Sequence, residues 1–307
     1  MKTISGKPVS RFSFGTMQFG GKADESESAS MYAACREAGV NFFDTAFAYT
    51  EGRSEAITGN LVRPERDDIF VATKTANQKT ATPEVIHREF AESRKRLGLD
   101  TVDLLYVHQP DPVTPLEVTL GAVAEYVRSG AVRYVGISNF SAWATMKARH
   151  VARDLGIDVT FLQPMYNLAK RQAEVEILPM AESEGFYVFP YSPLGGGLLT
   201  GKYADGQGGR LKDDAMYSVR YGVDWMHRTA SDLAALGREL GVAPATLAVA
   251  WVARHPGVWG PIVSARSAGQ LGASLAAIDF EMDDALYARI SALSPTPPPA
   301  NDRLEEA

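Results

Sequence analysis

Four side chains in this sequence have the chemistry to act together on one oxygen. Asp44 and Tyr49 follow the short apolar run NFF, Lys74 ends FVATK and His108 ends LLYVH. A phenol ionises at a pH of about 10, too high to exchange protons near neutrality unless a neighbouring cation favours its charged form. Lys74 would be that cation and Asp44 the carboxylate that holds it, while His108 would orient a substrate oxygen or pass a proton onward. Such a set suits a reaction that protonates an oxygen as another atom arrives at its carbon, and carbonyl reduction is of that kind. None of the four carries hydride, so a cofactor is required.

Candidate seats for that cofactor lie in other short runs. Ser138, Asn139 and Gln163 offer hydroxyl and amide groups suited to a carboxamide, and Tyr191 offers a flat face on which an aromatic ring could stack. The stretch Ser192, Pro193, Leu194, Gly195, Gly196, Gly197 exposes backbone N–H groups to a pyrophosphate, and Ser264 with Arg266 would take a further phosphate. Gln18, Phe47 and Trp225 are the candidate substrate contacts. Taken singly, several of these have a plainer reading: Asp44 as a turn cap, His108 as a core histidine, Lys74 as the Schiff-base lysine of an aldolase. Their conjunction favours the chemistry.

Other chemistries lack their residues. The five histidines (His87, His108, His150, His227, His255) form no HxH or HExxH pair, so no metal site is expected. There is no GxSxG elbow. GGLLTGK at Gly196 to Lys202 matches a P-loop up to Tyr203, which stands where the magnesium-binding Ser or Thr would be. With 31 Lys plus Arg against 37 Asp plus Glu, the formal charge is -6, and no nucleic-acid partner is expected. The single cysteine, Cys35, excludes an internal disulfide, and no apolar run approaches the roughly 20 residues of a membrane helix. A soluble, cytoplasmic protein with no membrane partner is the expectation; the sequence carries no legible sign of an oligomer.

The elements that must position these residues alternate. Eight strands are predicted at 11–14, 41–44, 69–73, 102–107, 132–137, 160–164, 187–191 and 258–263, separated by stretches of helical periodicity. Asp24, Thr82-Pro83 and Ser141 read as helix starts, and Gly39, Gly98 and Gly156 as stops. Eight βα units fit an open doubly wound sheet or a closed (β/α)8 TIM barrel. Polar residues at nearly every strand's carboxyl end (Thr16 and Gln18, Asp44, Lys74, His108, Ser138 and Asn139, Gln163, Ser192, Ser264 and Arg266) favour closure, because a barrel gathers those ends on one face. A single barrel domain over 1–293 is expected, with a mobile tail at 294–307 and, after strand seven, a long polar loop at 203–228 that reads as a lid or an unstructured excursion.

NFFDTAFAY, VATK, LLYVHQPD, VGISNF, Gln163 with MYN, YSPLGGGLLTGKY and SARS, in this order and over most of the chain, resemble the aldo-keto reductases. The glycine-rich segment is more similar to bacterial members and to potassium-channel β subunits than to mammalian steroid reductases. The resemblance implies the (β/α)8 barrel, NADPH-dependent reduction of a small aldehyde or ketone, and a tetrad of Asp44, Tyr49, Lys74 and His108 with Tyr49 as proton donor. It also implies nicotinamide contacts at Gly15, Thr16, Met17 and Tyr191, and cofactor contacts from Lys202 and Gln270. One departure concerns the nucleotide's far end: Gln270 fills the first of the family's positions there, but Ala273 and Ser274 replace the Glu-Asn pair that meets adenine. Preference for NADP(H) then leans on Ser264, Arg266 and Gln270, and NAD(H) stays open. The likeness to channel subunits permits a second role, a regulatory subunit that senses nicotinamide redox state with little turnover.

Overall fold

The computed structural model describes residues 1–78, 80–203 and 214–301. Eight parallel strands alternate with helices: β1 Ser13–Gly15, β2 Phe42–Asp44, β3 Phe70–Thr75, β4 Val102–Val107, β5 Val132–Ser138, β6 Val159–Gln163, β7 Tyr187–Val188 and β8 Ile262–Val263. They hydrogen-bond in the order β7-β6-β5-β4-β3-β2-β1-β8. The remaining seam is joined by three backbone bonds: Trp259 and Gly260 donate to the Val188 carbonyl at 2.9 and 3.3 Å, and Ile262 donates to that of Pro190 at 2.9 Å. The sheet therefore curls round on itself as a (β/α)8 barrel.

β1 and β2 are each one residue shorter than the sequence predicts, and β7 and β8 are shorter by three and four. Pro190 and Pro261 have no N–H to give a ladder, so the regular part of β7 stops at Val188 and that of β8 is confined to Ile262–Val263. The extended path continues all the same, with Phe189 and Tyr191 donating to Leu162 and Pro164.

Inside the barrel, Phe42, Phe70, Ala72, Leu104, Tyr106, Phe161, Phe189 and Ile262 form one packed cluster. Bulky strand residues filling a barrel leave a solid floor rather than a pore. Gly136 of β5 makes room for it, since a Cβ there would lie 2.4 Å from the Tyr106 ring. A second, larger cluster joins the outer faces of the strands to the helices.

The helices are α1 Glu25–Glu37, α2 Arg53–Val62, α3 Pro83–Leu97, α4 Leu116–Arg128, α5 Ala142–Asp154, α6 Ile177–Glu184, α7 Ala215–Arg220, α8 Asp224–Leu240, α9 Pro244–Arg254, α10 Ala268–Leu275 and α11 Asp284–Ser291. Asp24, Thr82 and Ser141 each cap the helix that follows by accepting a backbone N–H. None of them alone is long and apolar enough to cross a membrane.

The long segment after β7 differs from the expected loop. Residues 204–213 lie outside the described part, but from Asp214 onward the chain is helical, with Asp214 accepting from Met216 and Tyr217 to start α7, and α8 beginning at Asp224. From Asp214 to Arg228, then, the polar residues are a cap and the exposed positions of helices; the expectation of a lid or an unstructured excursion at 204–213 falls outside the described residues. At the start of the expected tail, Ser294 is buried and receives the Arg171 guanidinium on its Oγ at 3.2 Å. Residues 302–307 lie outside the described part.

Candidate active site

Three adjacent strands deliver the tetrad. Asp44 is the last residue of β2, Lys74 the penultimate residue of β3, and His108 follows β4 directly. Tyr49 arrives from the β2–α2 connection, at the start of a 3-10 turn, Tyr49–Gly52, in which Thr50, Glu51 and Gly52 all have positive φ (46°, 57° and 90°). This left-handed run turns the chain back over the strand ends.

The four come together. The Lys74 ammonium, wholly buried, donates to Asp44 Oδ1, to the Thr45 carbonyl at 2.7 Å and to the Tyr49 hydroxyl at 3.4 Å. Gln163 Nε2 donates to the other Asp44 oxygen at 2.9 Å. The rings of Tyr49 and His108 meet edge to face with centroids 6.0 Å apart.

Burial raises the Asp44 carboxyl above its ordinary range, against the lowering influence of Lys74. Burial works to lower Lys74, but Asp44 and Tyr49 outweigh it and leave the ammonium more firmly protonated than usual. The phenol departs from the sequence expectation. Lys74 does favour its ionised form, yet burial is stronger and the Tyr49 pKa is raised from 10. Tyr49 thus holds its proton as an acid. His108 is pushed down to about 3, first by burial and then by Lys74, so the ring is neutral near pH 7. Its Nδ1 is buried with no partner among the described residues.

Sequence reasoning missed four residues that hold this cup, Thr45, Ser54, Glu55 and Arg96. Ser54, Thr16 and Thr45 share hydroxyl hydrogen bonds at 2.8 and 3.0 Å, and Ser54 also donates to the Thr16 carbonyl, which ties the ends of β1 and β2 to α2. Glu55, buried in α2, accepts from Thr73 beside Lys74 at 2.7 Å and from Arg96 of α3 at 3.2 Å. Arg96 donates in turn to the Phe47 carbonyl at 3.1 Å and lies over the Phe47 ring at 4.5 Å. A buried Glu and a distant Arg in helical sequence carry no local signal; only their contacts reveal the role.

The candidate cofactor residues line the same face. Gly15 ends β1 and Thr16 and Met17 follow it, with the Thr16 N–H donating to the Asp44 carbonyl at 2.9 Å, and Gln18 is buried. Asn139, at positive φ (66°), donates to the His108 carbonyl and to Ser138 Oγ, both at 3.0 Å, and accepts from the Tyr191 hydroxyl at 2.7 Å. Those bonds tie the Tyr191 hydroxyl, through Asn139, to the His108 backbone carbonyl. Gln163 directs its amide N–H to Asp44, which leaves its oxygen for a carboxamide. Ser192 (φ 59°) is braced by Asn167, whose amide donates to its carbonyl at 2.9 Å; Asn167 is a further support not singled out in the sequence.

Beyond Pro193 and Leu194, Gly195, Gly196 and Gly197 have φ of 56°, 66° and 97°, and a Cβ on Gly197 would lie 3.2 Å from the Lys202 ammonium. Successive glycines in this conformation under an ammonium make a concave cradle that fits a pyrophosphate. Ser264 and Gln270 are exposed and Arg266 is half-exposed near the start of α10. Phe47 is half-buried beneath Arg96. Trp225 is different: it sits in the first turn of α8 and packs against the main core. Among the described residues no three His, Cys, Asp or Glu side chains group to hold a metal.

Residues 11–295 match the Aldo/keto reductase family. Among similar proteins, the probable voltage-gated potassium channel subunit beta of Oryza sativa subsp. japonica is 36% identical over 295 residues, covering 90% of this chain and 89% of that protein. The uncharacterized oxidoreductase YrpG of Bacillus subtilis (strain 168) is 31% identical over 317 residues, 95% and 94% of the two chains. Aflatoxin B1 aldehyde reductase member 2 of Rattus norvegicus is 37% identical over 209 residues, 66% of this chain and 57% of that protein. With its barrel and the match over nearly its whole length, the chain belongs to the aldo/keto reductase family.

Proposed function

We propose that the protein reduces an aldehyde or ketone to the alcohol, reversibly, with NADPH as cofactor and Tyr49 as proton donor. The observation that carries this reading is the buried line from Asp44 through Lys74 to the Tyr49 hydroxyl. When bound, the nicotinamide nucleotide supplies the hydride that no side chain here can carry.

The chain's own residues do the rest. Tyr49, kept protonated by burial, donates its hydrogen to the substrate oxygen; as negative charge grows there, the phenol gives up its proton. Lys74 stabilises the phenolate left behind, and Asp44 keeps that ammonium charged and in place. Neutral His108 donates an N–H to the same carbonyl oxygen and orients it, and its bare nitrogen could accept from the hydroxyl of the alcohol in the reverse direction. Asn139 and Tyr191, bonded to each other, together with Ser138 and Gln163, would hold the nicotinamide. The glycine cradle with Lys202 would hold the pyrophosphate, and Ser264, Arg266 and Gln270 would meet the far ribose. The firm protonation of Lys74 also speaks against a Schiff-base aldolase, which requires a neutral amine. A cytoplasmic setting, with its supply of reduced nucleotide, fits this role.

A second reading is favoured by the 36% identity to potassium-channel β subunits: a nicotinamide-sensing subunit with slow turnover. One experiment separates the two. Fluorescence titration with NADPH and NADH, followed by turnover at 340 nm on a panel of aldehydes, is expected to give binding and sustained oxidation. A single turnover followed by slow release would favour the sensor, and absence of nucleotide binding would refute both.

A further inference from the structure

Ala268 opens α10, immediately after the β8 segment that carries Ser264 and Arg266. Its N–H does not face solvent. It donates at 2.5 Å to Oε1 of Glu27, a half-buried residue in the first turn of α1, which lies beside α10. Ser267 caps the same helix by accepting from Gln270. In barrels of this architecture the loops after the seventh and eighth strands and the start of the short helix that follows commonly receive phosphate. Here a carboxylate from the opposite end of the sequence already holds the leading N–H of that helix.

Among the described residues neither Glu27 nor Arg266 forms an ion pair within 4 Å, and the contact of the Glu27 side chain is the Ala268 N–H. Glu27 therefore meets the helix N–H but no cation, and Arg266 meets no carboxylate, within ion-pair distance among the described residues. Space is open beside them: a Cβ on Gly269 would meet nothing within 4 Å, and Gln270 is exposed.

We propose that Glu27 is a specificity-determining residue for the nucleotide: its carboxylate accepts the 2'-hydroxyl of the adenosine ribose and repels a 2'-phosphate, so that NADH competes with NADPH on this barrel. The inference rests on the cofactor reading given above. A ribose diol gains a charge-assisted hydrogen bond from a carboxylate, as it does where dinucleotide sites carry an acidic residue at this hydroxyl. A phosphate at the same point is drawn by Arg266 but meets a like charge at Glu27. Replacement of Glu27 by Gln keeps an acceptor for the Ala268 N–H and removes only the charge.

The test is direct binding of NADPH and NADH to wild type, Glu27→Gln, Arg266→Ala and Glu25→Gln, followed by nucleotide fluorescence. Glu27→Gln is expected to shift the ratio of the two dissociation constants toward NADPH by about tenfold, the size of one like-charge contact in a partly screened setting. Arg266→Ala is expected to shift it the other way. Glu25, exposed on the same helical turn, reports any general effect of charge and is expected to leave the ratio unchanged. A ratio that stays constant in Glu27→Gln while both nucleotides bind overturns this inference alone. Failure of wild type to bind either nucleotide overturns the cofactor reading and this inference with it.

Discussion

Tyr49 and His108 differ in what their surroundings do to a proton. Burial holds the phenol protonated, so the reducing direction is expected to be flat in pH through neutrality and to fall only above about pH 10, whereas alcohol oxidation, which needs the phenolate, rises with pH. Tyr49→Phe removes the donor and leaves the nucleotide contacts in place. Turnover in single-turnover and steady-state assays is expected to drop about 100-fold or more, with NADPH affinity within about twofold of wild type. His108 is driven the opposite way, to about 3 from an unfolded value of 6.5. Below pH 6.5 the unfolded chain takes up a proton that the folded chain refuses, so this residue's contribution is complete above 6.5 and is lost as pH falls toward 3. Urea unfolding between pH 7 and 4 is expected to show wild type losing stability relative to His108→Asn by at most about 1.4 kcal/mol per pH unit. Parallel curves for the two proteins would remove His108 as the cause.

At the scale of elements, Tyr49, the proposed proton donor, depends on two helices, α2 and α3. Its loop is anchored by Arg96 of α3 through the Phe47 carbonyl, and Arg96 is itself paired with Glu55 of α2, which also holds Thr73 next to Lys74. Arg96→Met leaves the Glu55 carboxylate buried without its cation, and removal of one partner of such a pair costs about 3 kcal/mol. Chemical denaturation is expected to show a loss of that order, with turnover reduced because Tyr49 is no longer held over Lys74. Adding Glu55→Gln to Arg96→Met removes the uncompensated charge and is expected to restore most of the stability but not the turnover. Recovery of both would mean that the anchor has no part in placing Tyr49.

The whole molecule depends on closure of the seam between β7 and β8. Gly260 lies in the segment that bridges β7 and β8, and a Cβ on it would fall 1.5 Å from the Arg11 carbonyl oxygen, a contact that no rotamer change relieves. Gly260→Ala must therefore shift the backbone at the seam, at a cost of about 2 kcal/mol or more. Calorimetry is expected to show Tm lowered by several degrees. Gly272→Ala, in α10 where a Cβ meets nothing within 4 Å, is expected to leave Tm unchanged or to raise it slightly, because alanine loses less backbone freedom in a helix. Equal effects of the two would show that the seam tolerates displacement.

The sequence by itself determined the alternation of eight strands with helices and the helix starts at Asp24, Thr82 and Ser141, and it brought forward Asp44, Tyr49, Lys74 and His108 as a set, because each depends on local pattern: apolar runs, caps, and polar residues placed at strand ends. It overestimated β7 and β8, where apolar composition reads as strand but Pro190 and Pro261 have no N–H for the ladder, and it read the helical turns of α7 and α8 as loop because their exposed faces are polar. What tertiary structure alone decided is the sense of each proton equilibrium and the identity of the supports. The sequence places Lys74 near Tyr49 and so implies a more acidic phenol, but the balance between that attraction and desolvation depends on how deeply the fold buries the ring. Glu55 with Arg96, Asn167 with Ser192 and Glu27 with Ala268 meet across 41, 25 and 241 positions of chain, separations over which no sequence periodicity extends and which only the closing of the barrel brings within hydrogen-bond reach.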